Sequence, residues 1–208
     1  MSPDTRLLVF TDLDATLLDE SYGFGAAKPA LDALRECGHP LVLASSKTVA
    51  EMRELAARLA LSTPMIAENG GVLAMPNGNA GWHVQIRGLD RHIIARHAHA
   101  WRCRVGDYFR GFMDWDVDEI SAQTGLDLKS AALAGERQAT EPIIWQGSAE
   151  CRRDFVLAMR QQGIRLVQGG RFAHLMGEVD KADGLRAVCD FYHRGSPITK
   201  WIKVALGD

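Results

Sequence analysis

An apolar run at residues 7–10, Leu-Leu-Val-Phe, leads straight into two acids in Thr11-Asp12-Leu13-Asp14-Ala15-Thr16-Leu17-Leu18-Asp19. A run without polar alternation suits a strand buried on both faces, the condition of a strand inside a parallel sheet. The acids then stand at its carboxyl end, where open α/β sheets bind ligands. Alternate residues of an extended chain point the same way, so Asp12 and Asp14 face one spot. Two carboxylates that close repel unless a cation or proton joins them, and a hard divalent cation is the natural partner.

The following segments extend this into a layered sheet. Residues 29–37 read as a helix, with Leu31 and Leu34 on one face and Gly38 as its stop. Residues 41–44 form a second apolar strand. Thr48 with Glu51 makes a capping box that opens a helix through Leu61. Residues 64–67 form a third strand. The order β-α-β-α-β predicts a parallel sheet with right-handed crossovers.

The pattern then changes. Residues 72–75 and 82–86 flank Pro76-Asn77-Gly78-Asn79, which reads as a hairpin. Helices are predicted over 90–104, from a cap at Asp116 with Glu119 to Gly125, and from a Ser148 cap to Gly163. Strands are predicted over 142–145, 164–167 and 171–176. The βα pattern returns with a helix over 181–192 and a strand over 201–206. An α+β domain inserted at 88–175 is expected, leaving 1–87 and 176–208 as a discontinuous core.

Composition closes off other classes. The chain has 208 residues, 47% hydrophobic and 24% charged, which excludes disorder and leaves one large domain or two small ones. A net charge of -2 gives no electrostatic case for nucleic acid or an anionic membrane. No apolar stretch approaches the roughly 20 residues of a membrane span. The start, MSPDTRLLVF, does not read as a signal peptide. Cys37, Cys103, Cys151 and Cys189 are far apart and form no CxxC, which argues against a zinc site or disulfide framework and for the cytoplasm. His92, His97 and His99 read as a polar helix face, and Trp82, Trp101, Trp115, Trp145 and Trp201 as packing residues.

The segment Asp12-Leu13-Asp14-Ala15-Thr16 resembles the first motif, DxDxT, of the haloacid dehalogenase superfamily of phosphatases. The resemblance implies Asp12 as a nucleophile forming an aspartyl-phosphate and Asp14 as general acid and base. Ala15 stands where that motif usually has glycine. A second motif, a Ser or Thr ending the second strand, fits Ser45, with Ser46 the nearest rival. Its hydroxyl would donate to a phosphoryl oxygen beside helix-start amides. Lys181, in Gly177-Glu178-Val179-Asp180-Lys181-Ala182-Asp183-Gly184, matches the lysine that offsets negative charge around the nucleophile. Leu206-Gly207-Asp208 matches the start of the acidic fourth motif, whose second acid does not follow, so the sequence reads as C-terminally truncated. The implied cofactor is Mg2+, held by Asp12, Asp14 and Asp208.

With the insertion between the second and third motifs, the resemblance implies a Rossmannoid parallel sheet with helices on both faces plus an α+β cap, as in the sugar-phosphatase branch. Ser45-Ser46-Lys47-Thr48, Ala67-Glu68-Asn69-Gly70-Gly71, Gly169-Gly170-Arg171-Phe172-Ala173-His174 and Asp180-Lys181-Ala182-Asp183-Gly184 resemble the mannosyl-3-phosphoglycerate phosphatases. The implied activity is magnesium-dependent hydrolysis of a small phosphorylated metabolite, mannosyl-3-phosphoglycerate, to mannosylglycerate. Candidate substrate-binding residues are Ser46, Lys47, Asn69 and Gly70 in the core and Arg137, Glu141, Arg171 and His174 in the cap. Arginine can bind the carboxylate of phosphoglycerate bidentately, and Glu141 can accept from sugar hydroxyls. Each cap residue also reads as an ordinary surface charge. Two alternatives stand beside this expectation: a broader sugar-phosphate phosphatase, and a catalytically impaired binding or regulatory fragment.

Overall fold

A computed structural model of the chain describes residues 5–19, 22–78 and 81–207; the Asp208 expected to bind metal lies outside them. Its first sheet contains β1 (Thr5–Thr11), β2 (Leu41–Ala44), β3 (Met65–Ala67), β4 (Val72–Pro76), β5 (Trp82–Ile86) and β10 (Lys200–Leu206). The strand order is β10-β1-β2-β3-β4-β5. β10, β1, β2 and β3 pair in parallel, whereas β4 and β5 pair antiparallel.

Two helices join the parallel strands: α1 (Lys28–Glu36) and α2 (Val49–Arg58). The Thr48–Glu51 capping box opens α2, and Gly38 takes φ 65° just past α1, the conformation that ends a helix. Both pack on one face of the sheet, against Val9, Leu43 and Met65. On the other face α7 (Lys181–Gly195) lays Val188 and Cys189 on Leu8, Phe10 and Ile66. Leu8, Val42, Leu43 and Ile66 are 0% exposed, so the apolar runs of β1 to β3 are covered on both sides. β10 is an edge strand and leaves Ile202 and Leu206 partly exposed.

A second sheet lies between the two passes of the chain through the first. It contains β6 (Phe109–Gly111), β7 (Thr140–Trp145), β8 (Arg165–Gln168) and β9 (Ala173–Met176), ordered β6-β7-β9-β8 and antiparallel throughout. α3 (Arg91–Val105) and α6 (Ala149–Arg160) pack on it through Ile94, Trp101 and Phe155. Trp101 and Trp145 stand within 6.0 Å of one another and line this core, in keeping with a packing role. α4 (Val117–Thr124) and α5 (Leu128–Gly135) form a small adjoining cluster with Phe112, Ile120, Ala131 and Ala134. α5 and β6 are elements that sequence reasoning did not anticipate.

The chain crosses between sheets at 87–90 and at 177–180. The Arg87 amide donates to Gly71 O at 2.8 Å, and a side chain at Gly177 would meet the Leu89 amide, so the crossings run side by side. No helix among the described residues is long and apolar enough to cross a membrane.

Candidate active site

Asp12 is the first residue beyond β1, and its amide still donates to Leu206 O of β10 at 3.0 Å. The side chain is fixed at both oxygens. The Leu13 amide donates to Oδ1 at 2.7 Å, and Lys181 Nζ donates to Oδ2 at 2.5 Å. Lys181 is the first residue of α7, whose start is set by a capping box between Asp180 and Asp183. After Asp12 the chain turns tightly. The amides of Thr16, Leu17 and Leu18 all point at Leu13 O, and Ala15 takes φ 56°. Asp14 lies in this turn, half-exposed, and Lys47 Nζ reaches its Oδ1 at 3.1 Å.

The second loop comes from the end of β2. The Ser45 amide donates to Ile66 O at 2.9 Å, which keeps Ser45 in the sheet and fully buried. Ser45 Oγ accepts from the Lys47 amide at 3.2 Å. Among the described residues its own proton has no acceptor. Ser46 turns its carbonyl to Arg137 Nη1 at 3.2 Å. Lys47 also lies 5.1 Å from the Tyr22 ring centre.

A third loop follows β3. Glu68 and Asn69 both take positive φ, 50° and 57°. The Glu68 amide donates to Lys47 O at 2.9 Å and the Asn69 amide to Ser45 O at 3.0 Å, so this loop braces the second one. Gly70 is pressed against the Asp180 carbonyl, where any side chain would collide. Its place is therefore a close approach that seats Lys181.

The second sheet offers Arg137 and His174. Arg137 Nη1 is shared between Ser46 O and Thr140 Oγ1, at 3.2 and 2.8 Å, while its buried Nε has no partner among the described residues. His174 Nδ1 is also buried and has no partner among the described residues. Burial, and then the charge of Arg137, push the His174 ring down to about 4, so it is neutral at physiological pH. Glu141 is only 2% exposed and accepts from Arg91 Nε at 2.7 Å and the Met113 amide at 2.8 Å. Burial raises its carboxyl above the ordinary range, against the opposing pull of the Arg91 charge. Arg171 is exposed and donates to Gln123 O. The structure thus brings Asp12, Asp14, Ser45, Ser46, Lys47, Asn69, Lys181 and Arg137 around three loops. Glu141 and Arg171 are committed to partners within the second unit.

Residues 9–99 match the haloacid dehalogenase-like hydrolase family. The chain is 33% identical, over 97% of its length, to a glucosyl-3-phosphoglycerate/mannosyl-3-phosphoglycerate phosphatase of Methanococcoides burtonii, and spans 78% of that protein. It has the same identity and coverage with a phosphatase of the same description from Persephonella marina.

The chain belongs to the haloacid dehalogenase-like hydrolases.

Its fold agrees. A haloacid dehalogenase-like hydrolase from Bacteroides thetaiotaomicron superposes with a TM-score of 0.66 at 17% identity, covering 91% of this chain and 77% of that one. As in that family, the sheet is Rossmannoid, has helices on both faces and carries an added α+β unit.

The donor set suits one kind of metal. Among the described residues there is no group of three His, Cys, Asp or Glu side chains able to hold an ion. Asp12 and Asp14 supply hard carboxylate oxygens at a solvent-reachable strand end. Mg2+ is commonly held by one or two carboxylates together with water and substrate phosphate, so these residues fit it. They suit zinc poorly, having neither imidazole nor thiolate.

Three residues in this region were not among those expected from sequence. Glu68 and Thr140 join the third loop to β7, and Thr48 Oγ1 donates to Leu133 O of α5 at 2.9 Å. Glu68 was visible as an acid in the Glu-Asn-Gly-Gly segment, but its partners lie some 70 residues away.

Proposed function

We propose that this haloacid dehalogenase-like hydrolase is a magnesium-dependent phosphatase that hydrolyses mannosyl-3-phosphoglycerate, or a closely related glycosyl phosphoglycerate, through an aspartyl-phosphate on Asp12. The observation that carries this reading is the contact of Lys181 with Asp12 at the carboxyl end of a buried strand. A lysine there fixes the carboxylate oxygen in place and offsets the charge of an incoming phosphate.

Asp12 Oδ attacks phosphorus, the P–O bond to the glycerate breaks, and Asp14 delivers a proton to the departing oxygen. Asp14 then takes a proton from water, which attacks the aspartyl-phosphate and releases inorganic phosphate with Asp12 restored. Ser45 donates its hydroxyl proton to a phosphoryl oxygen. Lys47, 3.1 Å from Asp14 Oδ1, places a second cation where the phosphate arrives. Bound Mg2+, held by Asp12 and Asp14, would neutralise phosphate oxygens.

We read residues 1–87 and 176–208 as the catalytic core and 88–175 as a cap. Within the cap, Arg137 beside the Ser45–Lys47 loop and His174, which feels the Arg137 charge, each have a buried nitrogen without a partner among the described residues, which suits recognition of a carboxylate. A groove of about 370 Å³ opens beside Lys47, between Tyr22, Leu55, Leu126 and Leu133. It has room for a sugar and touches both units. A cavity of about 380 Å³ at the opposite end of the sheet, near Arg6, His39 and Trp201, is lined by none of these acids. The four free cysteines and the small phosphorylated substrate fit a cytoplasmic location.

The test is phosphate release from a panel of mannosyl-3-phosphoglycerate, glucosyl-3-phosphoglycerate, simple sugar phosphates and an aryl phosphate. Preference for the glycosyl phosphoglycerates by at least tenfold in kcat/KM is expected. Equal use of the simple sugar phosphates would replace this reading with that of a general sugar phosphatase. No turnover of any, with intact binding, would make it a binding protein.

A further inference from the structure

Glu68 is 0% exposed, stands at φ 50°, and is followed by Asn69 at φ 57°. Two successive non-glycine residues in the left-handed region are a strained turn that surrounding contacts must maintain. Those contacts run in two directions. The backbone amides of Glu68 and Asn69 donate to Lys47 O and Ser45 O of the phosphate-side loop. The side chain points the other way. Its Oε1 accepts from the Gln138 amide at 2.8 Å, and its Oε2 from the Ala139 amide at 3.0 Å and Thr140 Oγ1 at 2.7 Å.

Thr140 then passes the connection on. Its hydroxyl gives its proton to Glu68 and accepts from Arg137 Nη1 at 2.8 Å. The same nitrogen reaches Ser46 O at 3.2 Å. The bonds form a closed ring that starts and ends on the 45–47 loop and crosses between the two sheets twice.

We propose that Glu68 is a positioning residue whose carboxylate sets Arg137 over the Ser45–Lys47 loop, so that recognition by the second unit stays in register with Asp12. The inference rests on the reading of Arg137 as facing substrate. The chemistry of the ring requires a carboxylate. Three donors converge on Glu68, and a carboxylate accepts from all of them. Glutamine has the same shape but turns one amide N–H₂ toward a donor. If that group faces Thr140, the hydroxyl must reverse, and it then presents its proton to Arg137, which has only donors. A residue that merely filled space would tolerate glutamine; a residue that sets the direction of this ring would not.

The experiment uses the full chain and two probes that need no turnover. Calorimetry measures affinity for 3-phosphoglycerate, which carries both phosphate and carboxylate, and for inorganic phosphate. Hydrogen exchange is followed at the amides of Gln138 and Ala139. For Glu68→Gln, exchange at both amides should rise at least tenfold, 3-phosphoglycerate affinity should fall about tenfold, and phosphate affinity should stay within about twofold. On an Arg137→Ala background, Glu68→Gln should add no further loss. If Glu68→Gln unfolds the chain, Glu68→Asp, which keeps the charge but shortens the reach, is expected to show the same pattern. Parallel loss of both ligands, full additivity with Arg137→Ala, or unchanged exchange would overturn the proposal. If Arg137→Ala itself leaves 3-phosphoglycerate affinity intact, the substrate reading fails and the positioning role falls with it. That outcome is recognised because it appears before Glu68 is touched.

Discussion

Lys181 Nζ stands 2.5 Å from Asp12 Oδ2, although the two residues are 169 positions apart. A cation at the first turn of a helix opposes the helix dipole, and Asp12 is the compensating charge. Removing the Asp12 carboxylate therefore removes the partner of Lys181 and, in the proposed mechanism, the nucleophile. Asp12→Asn is expected to lower phosphate release by ~10³-fold or more while the protein stays folded, since an amide is a poor nucleophile. Lys181→Ala should lower it strongly too, and chelation of Mg2+ by EDTA should stop it reversibly. Phosphate release with circular dichroism checks all three. Near-wild-type turnover by Asp12→Asn would end the aspartyl-phosphate mechanism.

Arg137 and Arg171 were equivalent candidates in the sequence, and the structure separates them. Arg137 bonds the Ser46 carbonyl next to Lys47 and Asp14, whereas Arg171 is exposed and bonds Gln123 O. Arg137→Ala should weaken use of a phosphoglycerate ester by ~10–100-fold relative to an aryl phosphate, the scale of a charge-assisted contact. Arg171→Ala should leave that ratio unchanged. Paired kcat/KM values on the two substrates decide it, and a selective effect of Arg171→Ala would reverse the assignment.

Ala15 takes φ 56° in the turn between Asp14 and Thr16. That conformation crowds a β-carbon and suits glycine. Ala15→Gly should stabilise the chain, by up to about 1 kcal/mol after the greater freedom of glycine in the unfolded state is subtracted. Urea unfolding measures this directly. A loss of stability would mean that the Ala15 methyl makes contacts worth more than the strain.

What the sequence disclosed follows the range of the physics involved. The Thr48–Glu51 and Asp116–Glu119 boxes are contacts between residues three apart, so they were readable, and both formed. β1 and its acids were readable because burial on both faces leaves a continuous apolar run. β6 has three residues, too few to show a period, and α5 follows α4 after only three residues, so neither element stood out. The residues of the site that lie on one local segment, such as Asp12, Asp14 and Ser45, came from motif and strand position. The commitments of Glu141 to Arg91, of Arg171 to Gln123 and of Glu68 to 138–140 are tertiary, and no spacing announces them.

His174 gives the chain a specific weakness in mild acid. Burial and Arg137 lower its ring to about 4 from an ordinary value of 6.5. Above pH 6.5 the ring is neutral in both folded and unfolded chains and contributes no pH dependence. Between about 6.5 and 4 the unfolded chain takes up a proton that the folded chain refuses, so stability falls as pH falls through this window. Below about 4 both states are protonated and the loss from this group is complete. The full shift corresponds to at most about 3 kcal/mol, and less where water reaches the ring. Because the opposing charge is Arg137, which stays charged throughout, no neighbour relieves the penalty in this range. Unfolding free energy should therefore drop between pH 7 and pH 5 in the parent and drop less in His174→Gln, which cannot take the proton. Urea melts of both proteins at the two pH values make the comparison. Equal slopes would show that the ring is protonated in the folded chain, and that it reaches solvent or an anion that the buried Nδ1 does not touch in this structure.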